Sequence, residues 1–92
     1  MRDDHFEWDD RKAAANVRKH GISFHHARRV FNDPSGIDGA DDEEDEERFS
    51  RLGMAEGFLL SVIYAERSGR IRVISARRAT KYEQNDYASQ KQ

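Results

Sequence analysis

Apolar and polar positions change period several times along the chain, and each change marks an element. From His5 to Trp8, aromatic residues at positions 6 and 8 alternate with polar ones, which predicts a short first strand. Asp9 suits a helix N-cap, and Asp10 suits the positive end of the helix it opens. Ala13, Ala14, Val17 and His20 fall on one stripe while Arg11, Arg18 and Lys19 point elsewhere, so the helix is predicted to run to about His20. Gly21 stops it, because the position after a helix commonly takes a left-handed backbone. Ser23 caps a second helix, in which Phe24, Ala27, Val30 and Phe31 recur at spacings of three and four. Ile22 is placed to staple onto Ala27, and Asp33-Pro34 ends the helix.

Residues 35–47 have almost no apolar content and predict a loop, with room for a short edge strand near Ile37. Three strands follow, Arg48 to Met54, Phe58 to Glu66 and Arg70 to Ala76. Gly57 opens the second of these, and Ser68-Gly69 makes a tight turn into the third. The middle strand is apolar on both faces, which argues for a central position. Thr80 followed by Glu83 is a capping box, so a last helix starts there and reaches Ser89. Only Tyr82, Tyr87 and Ala88 give that helix a packing face. The predicted class is α+β: strand, helix, helix, an antiparallel three- to four-stranded sheet, then a C-terminal helix, with helices against one face.

A simple meander sets a register. A two-residue turn at Ser68-Gly69 pairs Arg67 with Arg70 and Leu60 with Arg77, and a turn centred on Ala55-Glu56 pairs Arg51 with Leu60. One face then holds Phe49, Phe58, Leu60, Val62, Tyr64, Ile71 and Val73, and is the expected core. The other holds Arg48, Ser50, Ser61, Ile63, Arg72, Ile74 and Ala76. A face of arginines and hydroxyls suits single-stranded RNA, and equally suits plain solvent. In this ideal register Arg48 and Arg77 lie on opposite faces, roughly 14 Å apart. A one-residue bulge would reverse the assignment for one strand.

Composition narrows the function classes. The 92 residues make one domain, 1–92, with a small core. Only 36% of residues are hydrophobic and 37% are charged, so one Trp, three Tyr and five Phe must carry much of the packing, Trp8 among them. The net charge of −2 conceals a division: the run Asp41 to Glu47 is wholly acidic, and the rest of the chain is basic by five charges. A basic body fits a polyanionic partner, and the acidic segment could cover that surface. The absence of cysteine excludes disulfides and cysteine-based metal sites. Adjacent His25 and His26 diverge by about 100° on a helix and His5 is remote, so neither a metal site nor a cofactor is expected. No apolar run approaches the ~20 residues of a membrane span, and Met1 to His5 lacks the apolar region of a signal peptide. A cytoplasmic protein without membrane association is the expectation.

Several separated motifs carry a resemblance. Phe6-Glu7-Trp8-Asp9 is followed by Lys12, Asn16, Lys19-His20-Gly21 and Phe24, then by Val30-Phe31-Asn32-Asp33-Pro34. Arg48-Phe49 and Leu52-Gly53 come next, then Arg72-Val73-Ile74-Ser75-Ala76-Arg77-Arg78-Ala79-Thr80 with Glu83 and Tyr87. In this order, over nearly the whole chain, they resemble the BrnT family. The resemblance implies the toxin of a type II toxin–antitoxin pair, with a RelE-like fold and a ribonuclease activity that arrests translation. It also implies a BrnA-like antitoxin with a ribbon-helix-helix domain, and repression of their own operon by the pair. Operator DNA would be reached only through that antitoxin. Because ribbon-helix-helix domains dimerise, a hetero-oligomer with two toxin copies is expected. The dense acidic run at 41–47 is unusual for the family.

Cleaving RNA without a metal requires activating a 2′-hydroxyl, stabilising charge at the phosphate and protonating the leaving oxygen. Arg48 and Arg77 are the leading candidates for charge stabilisation, from the register and from their match to the family pattern. His20 has the chemistry of a base or acid, although a histidine in the last helical turn also stabilises the helix end. Lys19 beside it suits phosphate. Arg72, Arg78, Lys12 and Arg51 complete the expected RNA contacts. Two other readings use the same residues: a non-catalytic nucleic-acid- or protein-binding module, and a degenerate toxin kept for operon regulation.

Overall fold

A computed structural model of the chain describes residues 1–41 and 46–90. The centre of the acidic run lies outside the described residues. β1 (Phe6–Glu7) leads into α1 (Asp10–His20), α2 (Phe24–Ala27) and a 3-10 turn (Arg28–Asn32). β2 (Ile37–Ala40), β3 (Phe49–Ala55), β4 (Phe58–Arg67) and β5 (Arg70–Arg78) follow, and α3 (Lys81–Ser89) comes last. The α+β class is as expected, but among the described residues the sheet has five strands in the order β1-β5-β4-β3-β2, not three or four. Both short segments add to it: Ile37–Ala40 pairs antiparallel with β3, and Phe6–Glu7 pairs parallel with β5. β4 is central, and Leu60, Ser61, Val62, Tyr64 and Ala65 along it are buried.

Capping chemistry sets the helix ends. The Asp9 carboxylate accepts from the Arg11 and Lys12 backbone N–H groups at 2.8 and 3.1 Å. Gly21 adopts φ 71° and donates its N–H to the Val17 carbonyl. The Ser23 hydroxyl accepts from the His26 N–H at 3.1 Å, although the helix it opens is a single α turn that tightens into the 3-10 segment. Thr80 and Glu83 form the reciprocal box.

Of the stripe read on α1, only Ala13 packs against the core. Val17 is 47% exposed, Ala14 and His20 are exposed, and Asn16 is buried instead. The reason lies in the sheet. β1 pairs only with Ile71 and Arg72, so further along β5 the outer backbone edge has no strand partner among the described residues. The Asn16 carboxamide replaces one. Its Nδ2 donates to the carbonyls of Ala76 and Ile22, each at 2.9 Å, and its Oδ1 accepts from the Ala76 N–H at 3.1 Å. An amide side chain carries both a donor and an acceptor, so it can stand in for a peptide group.

The core joins Trp8, Ile22, Phe24, Ala27 and Val30 to Ala55, Leu60, Val62, Val73 and Ala76 of the sheet. Trp8 packs edge-on against Phe24 at 5.8 Å. Ala76 was expected on the opposite face, and a bulge puts it here. The β4–β5 ladder starts with Arg67 opposite Arg70, as the turn predicts, but its register shifts between Ile63 and Tyr64. Tyr64 faces Val73 while Ile63 faces Ser75, leaving Ile74 as the extra residue. Beyond it the alternation inverts, so Leu60 faces Arg78 and Ser61 faces Arg77. β5 also runs two residues past its predicted end, and both arginines lie within it. The earlier turn centres on Glu56-Gly57, with φ 48° and 91°, so Arg51 faces Val62 and not Leu60. α3 departs from the predicted one-sided arrangement. Tyr82, Glu83 and Asp86 lie with Ile37, Leu52 and Ser61 on the face away from α1 and α2. Tyr87 anchors the helix by donating to Asp33 Oδ2 at 2.6 Å, the oxygen that also accepts from the Met54 N–H at 2.7 Å.

Candidate functional site

The bulge distributes the arginines between the two faces of the sheet. Arg77 stands on the α3 face, in the row Ile37, Leu52, Ser61. Its guanidinium forks onto the Glu83 carboxylate at 2.7 and 3.0 Å, beside a cleft of about 240 Å³. Glu83 also accepts the Thr80 backbone N–H at 2.8 Å. These contacts, Arg77 first, hold the Glu83 carboxyl at about 2 against an ordinary 4.5, and the same hydrogen bond raises the Arg77 guanidinium.

Arg48 precedes β3 by one residue, and alternation from Phe49 puts it on the same face as Arg77. The two were expected on opposite faces. They still do not meet: Arg48 is four residues along β3 from Leu52, in the Arg77 row, and two strands over, roughly 13 Å in one direction and 10 Å in the other. Arg48 contacts Glu46 at 3.4 Å. Arg72, also on this face, pairs with the buried Glu7 at 2.7 Å. Arg51 points to the other side of the sheet. It donates to the Val30 and Asp33 carbonyls at 2.9 and 2.7 Å and pairs with Asp38 at 2.6 Å, and so fastens the 3-10 turn to β2 and β3. Lys12, Lys19 and His20 are exposed on α1, which packs against the core face. Arg48 and Arg77 therefore do not share one pocket, and His20 stands exposed near the end of α1.

A different constellation forms on the core face, at the end of the sheet near the Glu56-Gly57 turn. Arg78 faces Leu60, and its guanidinium lies 4.6 Å over the ring centroid of Phe58. Phe58 is 42% exposed. His26 meets the same ring edge-on at 5.7 Å, and its Nε2 lies 2.6 Å from the Ala55 carbonyl oxygen. Arg29 pairs with Glu56 at 2.6 Å alongside. Among the described residues, no carboxylate lies within ion-pair distance of Arg78. This site joins a permanent cation, an exposed aromatic surface and an imidazole, which are the groups needed to hold a phosphate, receive a base and move a proton.

Sequence reasoning read Phe58 as core and gave His26 no role. The trace it passed over is the adjacent apolar pair Val73-Ile74, which breaks the strand alternation and marks the bulge that sends Arg78 toward Phe58. His26 carries no comparable signal, because its partner is a backbone carbonyl. Among the described residues there is no cluster of acidic, histidine or cysteine side chains able to hold a metal, and no helix long and apolar enough to cross a membrane. No curated protein matches the chain. The family model described as "Ribonuclease toxin, BrnT, of type II toxin-antitoxin system" matches residues 8–83. That span includes Asn16, His26, Phe58, Arg77 and Arg78, and the chain belongs to the BrnT family of ribonuclease toxins of type II toxin–antitoxin systems.

Proposed function

We propose that this chain is a metal-independent endoribonuclease that arrests translation and binds RNA at the edge formed by Arg78 and Phe58. The observation that carries this reading is the Arg78 guanidinium, set on an exposed ring with no carboxylate against it among the described residues. Arg48, Arg51, Arg72 and Arg77 each have a carboxylate within 4 Å, and each would have to exchange it for a phosphate. Lys12, Lys19 and His20 are exposed on α1, which packs beside β5, the strand that carries Arg78. The order strand, two helices, antiparallel strands, helix supports a RelE-like scaffold. A cytoplasmic setting fits an activity directed at translation.

The partner under this reading is a BrnA-like antitoxin with a ribbon-helix-helix domain, which neutralises the toxin and with it represses the operon. Two toxin copies then accompany the dimeric antitoxin, and DNA is contacted through the antitoxin alone. The test is cleavage of RNA by the purified protein in the presence of a chelator, with and without ribosomes, alongside growth arrest on induction and rescue by co-expressed antitoxin. Cleavage that survives chelation and is lost in Arg78→Ala supports the reading. Tight antitoxin binding with no cleavage under either condition would identify a non-catalytic or degenerate copy.

A further inference from the structure

His26 is held in a defined protonation geometry. Its backbone N–H is used by the Ser23 cap, so the first turn of α2 fixes where the ring begins. Its Nε2 lies 2.6 Å from the Ala55 carbonyl oxygen. A carbonyl only accepts, so Nε2 carries the hydrogen, and in the neutral ring the lone pair is on Nδ1. Nδ1 makes no hydrogen bond among the described residues, and no buried side-chain nitrogen or oxygen there lacks a partner. Nδ1 is therefore not sealed from solvent. The Phe58 ring packs edge-on against the imidazole at 5.7 Å. With Arg78 4.6 Å and His26 5.7 Å from the same ring centroid, the guanidinium and imidazole are at most about 10 Å apart. Among the described residues, the charged groups beside His26 are Arg78 from β5 and the Arg29–Glu56 pair next to Ala55, and its neighbour His25 is engaged edge-on with Trp8 at 4.8 Å.

We propose that His26 is the proton acceptor for RNA cleavage, with Nδ1 facing the 2′-hydroxyl of a strand whose phosphate is held by Arg78. This rests on the ribonuclease reading above. In the step, the 2′-oxygen bonds to the adjacent phosphorus as its proton passes to Nδ1. The bond from phosphorus to the 5′-oxygen breaks, and that oxygen takes a proton from water. The products are a 2′,3′-cyclic phosphate and a 5′-hydroxyl end. His26 returns its proton to water, and nothing is oxidised or reduced. Arg78 faces the extra negative charge that the phosphate gains at the transition state.

The experiment compares wild-type protein, His26→Gln and His26→Ala on a synthetic RNA oligonucleotide in chelator. Glutamine keeps a donor for the Ala55 carbonyl but cannot take a proton. The expected result is a loss of about 100-fold or more in cleavage rate with RNA affinity within about threefold of wild type. A limb of the wild-type pH–rate profile should vanish in His26→Gln, and free imidazole should restore part of the His26→Ala rate, which a purely structural defect would not allow. Wild-type RNA that ends in 2′,3′-cyclic phosphate supports the same step. Cleavage by His26→Gln within about fivefold of wild type, with an unchanged pH profile, overturns the assignment of His26 and leaves the ribonuclease reading intact. Wild-type protein that neither binds nor cleaves RNA, with or without ribosomes, overturns both.

Discussion

Replacing Glu83 by Gln tests what the Arg77 fork contributes. The carboxylate accepts two guanidinium hydrogen bonds and one backbone N–H, and together these hold its titration at about 2 against 4.5. That difference corresponds to at most about 3 kcal/mol. The Arg77 side chain is 44% exposed, so solvent screening reduces the contribution to about 1–2 kcal/mol. The sign follows from the direction of the shift. A carboxyl depressed in the folded state stabilises fully above its unfolded value, near 4.5, and loses that contribution as pH falls toward about 2. Glutamine cannot ionise but can still accept the Thr80 N–H. Glu83→Gln should therefore be about 1–2 kcal/mol less stable than wild type at neutral pH and nearly equal to it at about pH 2. Urea unfolding followed by circular dichroism across that range measures both curves. Parallel curves, with the same gap at neutral and acid pH, would refute the reasoning, because the ion pair would then make no pH-dependent contribution.

Three further substitutions probe the scaffold under the site. Asn16→Leu keeps the volume but leaves the Ala76 backbone pair and the Ile22 carbonyl without their partner, so it should cost about 3 kcal/mol or more and lower Tm by roughly 12 °C or more in a thermal melt. At Gly53 an added Cβ would sit 3.1 Å from the Val30 carbonyl oxygen and 3.2 Å from Val30 Cβ, and Gly53→Ala should cost about 1–3 kcal/mol by urea unfolding. Arg51→Met keeps the aliphatic stem but unpairs the Val30 and Asp33 carbonyls; it should cost about 1–3 kcal/mol and leave RNA affinity within about twofold by filter binding.

The legible parts of the fold are those set by local chemistry. Asp9, Gly21, Ser23 and the Thr80–Glu83 box mark helix ends because each satisfies a backbone group within a few residues of itself. Ser68-Gly69 sets the Arg67–Arg70 pair for the same reason. The face of α1 was not legible. Its apolar stripe is weak, and the deciding group, Asn16, answers a backbone gap sixty residues away. The second helix shortened because Arg28–Asn32 follows the tighter 3-10 path into Asp33-Pro34. The site was only half legible. Arg78 was a candidate RNA contact from the family pattern. Its pairing with Phe58 and His26 depends on a turn displaced by one residue and on a bulge at Ile74, neither of which leaves more than a break in alternation. The two-stranded separation of Arg48 and Arg77 was near enough to the expected distance, while their relative side was reversed by that bulge.

The bulge also divides the work of two adjacent arginines, and that division can be measured. Neighbouring strand residues point to opposite faces whatever the register, so one of Arg77 and Arg78 must meet Glu83 and the other must meet Phe58. An unbulged ladder from Arg67–Arg70 would put Arg77 opposite Leu60, on the Phe58 side. The extra residue Ile74 exchanges them. Arg77→Ala should then remove the Glu83 fork and cost about 1–2 kcal/mol at neutral pH, with cleavage by the folded protein retained. Arg78→Ala should remove a cation from an exposed ring, costing no more than about 1 kcal/mol, and abolish most cleavage. Circular dichroism melts and cleavage rates measured on the same preparations separate the two effects. If Arg77→Ala loses cleavage while remaining folded, and Arg78→Ala keeps it, RNA lies on the α3 face and Glu83 is a gate that the phosphate must displace.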